Sequence, residues 1–63
     1  MDYSISEMKK FMKTLGIPKQ KKEMCIAGIE MYLFTKEDLK YIADPNTSLD
    51  AASNFLHKKI MDM

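Results

Sequence analysis

Phe34-Thr35-Lys36-Glu37-Asp38-Leu39-Lys40-Tyr41-Ile42-Ala43-Asp44-Pro45-Asn46-Thr47-Ser48-Leu49-Asp50-Ala51-Ala52-Ser53-Asn54-Phe55-Leu56-His57-Lys58-Lys59-Ile60 spells two helices around a tight turn. Thr35 stands three residues before Asp38, the spacing at which a hydroxyl and a carboxylate cap each other's backbone amides at a helix start. Leu39, Ile42 and Ala43 then form the buried edge of a short helix over 35–43. Asp44 precedes Pro45, whose ring pushes the residue before it out of helical geometry, so the helix stops there. Thr47 or Ser48 restarts the chain as a helix over 48–62, with Asp50 in its first turn. Ala52, Phe55, Leu56, Ile60 and Met63 line its inner face, and Ser53, Asn54, His57 and Lys58 the outer.

Working back toward the start, Ser4 and Glu7 have capping-box spacing and open a helix over 4–15. Its apolar stripe is Ile5, Met8, Met12 and Leu15, widened by Phe11. Gly16 ends it, because glycine accepts the left-handed conformation that closes a helix, and Ile17 is placed to fold back on Met12. Pro18 suits a first-turn position, so a second helix is expected over 18–34. Its first turns hold Lys19, Lys21 and Lys22, against the sense of the helix dipole, which hints that this charge serves something. Met24, Ala27, Met31 and Phe34 form one apolar stripe, and Cys25, Ile29, Tyr32 and Leu33 another. A helix apolar on two sides is the central one of a bundle. Gly28, unfavourable in mid-helix, predicts a close helix crossing. The expectation is an all-α fold: one domain over 1–63, a compact bundle of four short helices joined by short loops.

Composition narrows the function classes. At 63 residues the chain has room for one small core, which supplies only ~3–5 kcal/mol of net stability. Hydrophobic residues make up 46% of it, too many for a disordered chain, yet no apolar run approaches the roughly 20 residues of a membrane span. The start, Met1-Asp2-Tyr3, has no basic flank and apolar block, and a single cysteine cannot form an internal disulfide; the expectation is a cytoplasmic protein. The net charge of +1 fits neither a strongly basic nucleic-acid binder nor an acidic mimic. All ten cationic residues are lysine, so the planar fork that reads guanine edges is missing.

Gly28-Ile29-Glu30, followed by Phe34-Thr35, Glu37, Leu39 and Ile42-Ala43-Asp44-Pro45, resembles a short helical repeat of bacterial and phage or mobile-element proteins. That repeat runs G-L-E-x-G-L-S/T-x-E-Q-L/V-x-x-Y-A-D-P. The likeness covers under half of the chain. This sequence departs from it at Ile42 and Thr47, where the repeat carries aromatics, and has one extra residue between Glu30 and Phe34. The resemblance implies an all-helical stacking unit and a mobile-element origin, and it supplies no active site.

Two binding readings follow. Lys9, Lys10, Lys13, Lys19, Lys21 and Lys22 lie in a run without an acid and fall where the first helix ends and the second begins, a corner suited to an acidic partner surface; a solvated corner is the plain alternative. Seven methionines and six aromatic residues exceed the interior of so small a domain, so Met24, Met31, Phe34 and Tyr41 are expected to remain outside the core and to dock a protein or a second copy in a homodimer. The function expected is a small non-enzymatic protein-binding module. The resemblance implies a phage or mobile-element regulator or inhibitor of a host protein, anti-defence proteins included. The alternative is a helix-turn-helix DNA-binding transcriptional regulator, reading the major groove through Ser48, Ser53, Asn54, His57, Lys58 and Lys59. A detached unit of a repeat assembly is a third reading. Cys25 and His57 are the only soft ligands, short of the four that a zinc site takes, so no metal and no cofactor is expected. Glu37 and Asp38 adjoin at a helix start without converging on one reacting atom, so no catalytic residue is assigned.

Overall fold

The computed structural model describes residues 3–63, and Met1 and Asp2, on which the reading of the chain start rests, lie outside the described residues. Four helices and no strand are formed among the described residues: α1 (Ile5–Thr14), α2 (Lys19–Glu30), α3 (Lys36–Ala43) and α4 (Leu49–Met61). None is long and apolar enough to cross a membrane.

Short side chains start three of the four. Ser4 accepts from the Glu7 amide at 3.2 Å, and Ser48 accepts from the Ala51 amide at 3.0 Å. At α3 the reciprocal box is complete: Thr35 Oγ1 accepts from the Asp38 amide at 3.2 Å while Asp38 Oδ2 accepts from the Thr35 amide at 2.9 Å. Each such cap satisfies amides that have no partner inside the helix. Pro18 is the N-cap of α2 and not its first-turn residue, and no side chain caps that end. Gly16, at φ +63°, supplies the left-handed turn between α1 and α2. Asp44 closes α3 in extended geometry ahead of Pro45, and its Oδ1 accepts from the Asn46 amide at 2.9 Å to tighten the turn.

The second helix is shorter than its apolar pattern suggests, ending at Glu30 and not at residue 34. The Leu33 amide donates to Gly28 O at 2.8 Å and the Tyr32 amide to Ile29 O at 3.0 Å. These are the paired bonds of a Schellman closure, with Tyr32 at φ +61° in the place usually held by glycine. Phe34 therefore leaves the helix and turns inward. Its ring occupies the space beside Gly28 that a Cβ would fill, so the close approach at that glycine is made by a side chain and not by a helix crossing. Met63 likewise lies beyond the end of α4.

As the two-sided apolar pattern predicts, α2 is central and packs against α1, α3 and α4. The core comprises Met8, Met12, Ile17, Cys25, Ile29, Phe34, Leu39, Ile42 and Ala52. The Cα envelope measures 30 × 28 × 17 Å. A helix with side chains is about 10–12 Å across, so the short dimension holds two layers, and every helix keeps a wet side, that of α2 formed by Lys19, Gln20, Lys22, Glu23 and Glu30.

Two side chains, Lys21 and Tyr3, fasten this arrangement with four long-range hydrogen bonds. Lys21, only 6% exposed, donates from Nζ to Ile42 O at 2.7 Å, Thr47 O at 2.6 Å and Asp44 O at 3.3 Å. An ammonium has three donors and here all are used, tying the start of α2 to the end of α3 and the turn into α4. Tyr3 donates its hydroxyl to Phe34 O at 2.6 Å and pins the N-terminal segment over the α2–α3 loop.

Candidate protein-docking surface

A chain of aromatic rings runs from the core to the surface between α3 and α4. Phe34, fully buried, stacks on Phe55 with centroids 5.9 Å apart, and Phe55 meets Tyr41 at 4.9 Å and a 50° tilt. Tyr41 is 45% exposed. Beside it lies an open hollow of about 300 Å³ lined by Tyr41, Ala51, Asn54, Phe55 and Lys58. The four α4 residues recur at the spacing that places side chains on one helix face, so α4 supplies one wall and Tyr41 the other. Burying an aromatic edge beside a few polar groups is how a protein partner is gripped.

The residues singled out from the sequence separate into groups. Tyr41 and Met31 stay outside the core, Met31 at 40% exposure, and Met24 is half-buried against it. Phe34 corrects the expectation: its ring is sealed within the chain because α2 ends early, and it presents nothing to a partner. Lys21 is corrected as well, being buried on three carbonyls and not part of the surface corner. Lys9 pairs with Glu30 at 3.0 Å across the α1–α2 seam. Lys10, Lys13, Lys19 and Lys22 remain exposed, and no carboxylate of the described residues pairs with them.

On α4, Ser53, Asn54, His57 and Lys58 face solvent. Ser48 spends its hydroxyl on capping. Lys59 is half-buried, pairs with Asp38 at 3.2 Å and lies 5.5 Å over the Phe55 ring. The start of α4 presents Leu49 and Asp50, an apolar and an acidic side chain where a groove-reading helix would meet phosphates.

The reactive side chains stand apart. Burial pushes the Cys25 thiol up to about 11, although Lys21 pulls the other way, so the thiolate needed of a nucleophile is scarce at neutral pH. Burial, with Asp38 and then Tyr32 adding to it, also raises the Tyr3 phenol, which is engaged as a donor to Phe34 O. Among the described residues no three His, Cys, Asp or Glu side chains gather to hold a metal ion. What the surface offers is apolar and ionic contact.

Three features, one in the hollow and two elsewhere in the fold, escape sequence reading. Ala51 carries no chemical signal and joins the hollow only through its spacing from Asn54, Phe55 and Lys58. The Tyr3–Tyr32 ring pair, 5.2 Å between centroids, joins residues far apart in the chain. Lys21 announces itself only as a lysine placed against a helix dipole. Comparison with family models, with curated proteins and with solved structures finds no match for this chain.

Proposed function

We propose that this chain is a small non-enzymatic protein-binding module that docks its partner on the face between α3 and α4. The observation that carries the reading is the exposed end of the aromatic chain: Tyr41 stands half out of the protein beside an open hollow, packed on Phe55, which stacks in turn on the buried Phe34. An aromatic side chain has few rotatable bonds to order on binding and supplies a large contact area. Met61, 70% exposed, extends the apolar surface on the hollow's side of α4, whereas Leu49 and Ile60, at 43% and 39%, lie on the opposite flank of that helix. A second copy of the chain is one partner these residues suit, giving a homodimer. The likeness of residues 28–45 to a mobile-element repeat supports the narrower reading of a phage or mobile-element regulator or inhibitor of a host protein acting in the cytoplasm.

Tyr41→Asp tests the reading, with circular dichroism to establish that the exposed substitution leaves the fold intact. The module reading requires that tagged wild-type chain retain a protein from the native host that Tyr41→Asp releases. Equal retention by both, or retention by neither, refutes it. The DNA-reading alternative is weaker because Lys59 is occupied by Asp38 and because Asp50 stands at the start of α4. A labelled duplex bound with a steep salt dependence, and lost in Lys58→Glu, would reverse that order.

A further inference from the structure

The four lysines that pair with no carboxylate among the described residues, Lys10, Lys13, Lys19 and Lys22, are not scattered. Lys9 of α1 and Glu30 of α2 are joined at 3.0 Å, which fixes the flanks of the two helices that face each other along their seam. Helical spacing does the rest: Lys13 lies one turn beyond Lys9 on the same flank of α1, while Ile26 and Lys22 lie one and two turns before Glu30 on the same flank of α2. Both flanks run toward the turn at Gly16, so Lys13 and Lys22 border a strip whose floor is the half-buried Ile26, with Lys10 and Lys19 at its margins. Glu23 and Glu30 are the acids on these flanks, and Glu30 is consumed by Lys9.

This arrangement works against stability. Cations in the first turn of α2 oppose its dipole, and α2 alone of the four helices starts without an acid. Neighbouring lysines without counter-charges repel each other as well. Lys21 is explained by its three carbonyls and Lys13 favours the dipole at the end of α1, but Lys19 and Lys22 pair with no carboxylate among the described residues.

We propose that the α1–α2 seam is a second docking strip, taking a short acidic protein segment whose carboxylates meet Lys13, Lys19 and Lys22 and whose apolar residue sits on Ile26. The charge pattern favours a short peptide over nucleic acid. A duplex is a rigid rod with a negative charge about every 1.7 Å, and four lysines gathered near one turn, with Glu23 and Glu30 following on the same flank of α2, give it few phosphate contacts. A short peptide needs only the lysine end. The apolar floor also suits a side chain, which a phosphate backbone does not offer.

The test is fluorescence anisotropy of a labelled short peptide of Glu and Asp around one Leu, titrated with the full chain, beside a duplex of equal total charge. The peptide is expected to bind, to weaken several-fold as NaCl rises from about 50 to about 200 mM, and to lose about tenfold in affinity in Lys13→Glu/Lys22→Glu. Lys13→Gln/Lys22→Gln should lose less, and Lys40→Glu, a charge reversal on α3, little. All these positions are exposed, so each variant is expected to fold with a Tm within a few degrees of wild type, Lys40→Glu losing its 3.4 Å pair with Glu37. No binding, tighter binding of the duplex, or equal loss in Lys40→Glu overturns the proposal. Since the inference rests on the protein-binding reading, Tyr41→Asp is titrated alongside. A host protein that is released by Tyr41→Asp, with peptide affinity untouched by the Lys13/Lys22 reversal, would overturn the strip and leave the module standing.

Discussion

Tyr32 holds φ +61° at 62% exposure, a left-handed backbone that costs a side-chain-bearing residue about 1–2 kcal/mol. Its ring meets Tyr3, and an exposed ring pair returns only about 0.5 kcal/mol. The strain exceeds the return, so Tyr32→Gly is expected to raise stability by ~1 kcal/mol in urea denaturation; an unchanged or lowered midpoint would show that the ring earns its place in the fold. Gly16 gives the converse measurement. It has the same backbone sign, at φ +63°, with open space where a Cβ would project, so Gly16→Ala meets no clash and should lose ~1 kcal/mol through backbone strain alone. Cys25 makes stability depend on pH. The thiol ionises near 9.0 when unfolded and only near about 11 when folded. Between those values the unfolded chain therefore holds fewer protons than the folded one, and stability falls as pH rises, by up to ~3 kcal/mol across the window. It is fully present below pH 9 and gone above 11. Tyr3, also raised, acts in the same direction. Denaturation of wild type and Cys25→Ala at several values from neutral to strongly alkaline should show a shallower decline in the variant; parallel curves would mean that the thiol is not shielded.

Between elements, one lysine and one glycine hold the arrangement. Lys21→Met keeps most of the apolar stem but strips the donor from three carbonyls, and a loss of ~2–4 kcal/mol is expected in denaturant unfolding, with the turn at 44–47 exchanging its amide hydrogens sooner. A loss under ~1 kcal/mol would mean that water replaces the ammonium. Gly28→Ala places a methyl on the Phe34 ring and should destabilise by ~1–3 kcal/mol; Phe34→Leu in the same chain should recover part of it. These two sites also mark where sequence reading succeeds and where it stops. Ser4, Thr35 and Ser48 are legible because capping is local chemistry, decided within three residues. Asp44-Pro45 is legible for the same reason. The end of α2 is not, since apolar residues resume after Glu30 and run to Phe34 with no glycine or proline among them, and the closure falls on a tyrosine, against the usual preference. That single misplacement turns Phe34 from an expected surface anchor into the centre of the core. Lys21 is opaque because its acceptors lie 21 to 26 residues away, and composition counts it with the surface cluster.

At the scale of the whole molecule, thickness decides exposure. Two layers 17 Å deep seal the nine core residues but leave Tyr41, Leu49, Ile60 and Met61 partly in water, as the excess of apolar residues over available interior in the sequence suggests. Which residues would be left out was only half legible: Tyr41 and Met31 were, while Leu49 and Ile60 fall on the edges of the α4 stripe, where a helical pattern does not distinguish core from rim. A standard interface takes about 800 Å² from each partner, roughly a sixth of the 4530 Å² that this chain exposes. A pair joined over the α4 side alone would be smaller than that, and its affinity modest, in the ~10–100 µM range. Sedimentation of the full chain from low to millimolar concentration should then show mass rising from one copy toward two. Tyr41→Asp should shift that rise upward by about tenfold in concentration, because it puts a charge into an apolar contact, while Ile60→Lys, on the opposite flank of α4 from the hollow, should shift it little. Closure at two copies follows if the same patch faces itself about a twofold axis; continued growth into longer species would mean a head-to-tail contact and favour the repeat-unit reading. A mass fixed at one copy throughout would leave the exposed rings to a different protein.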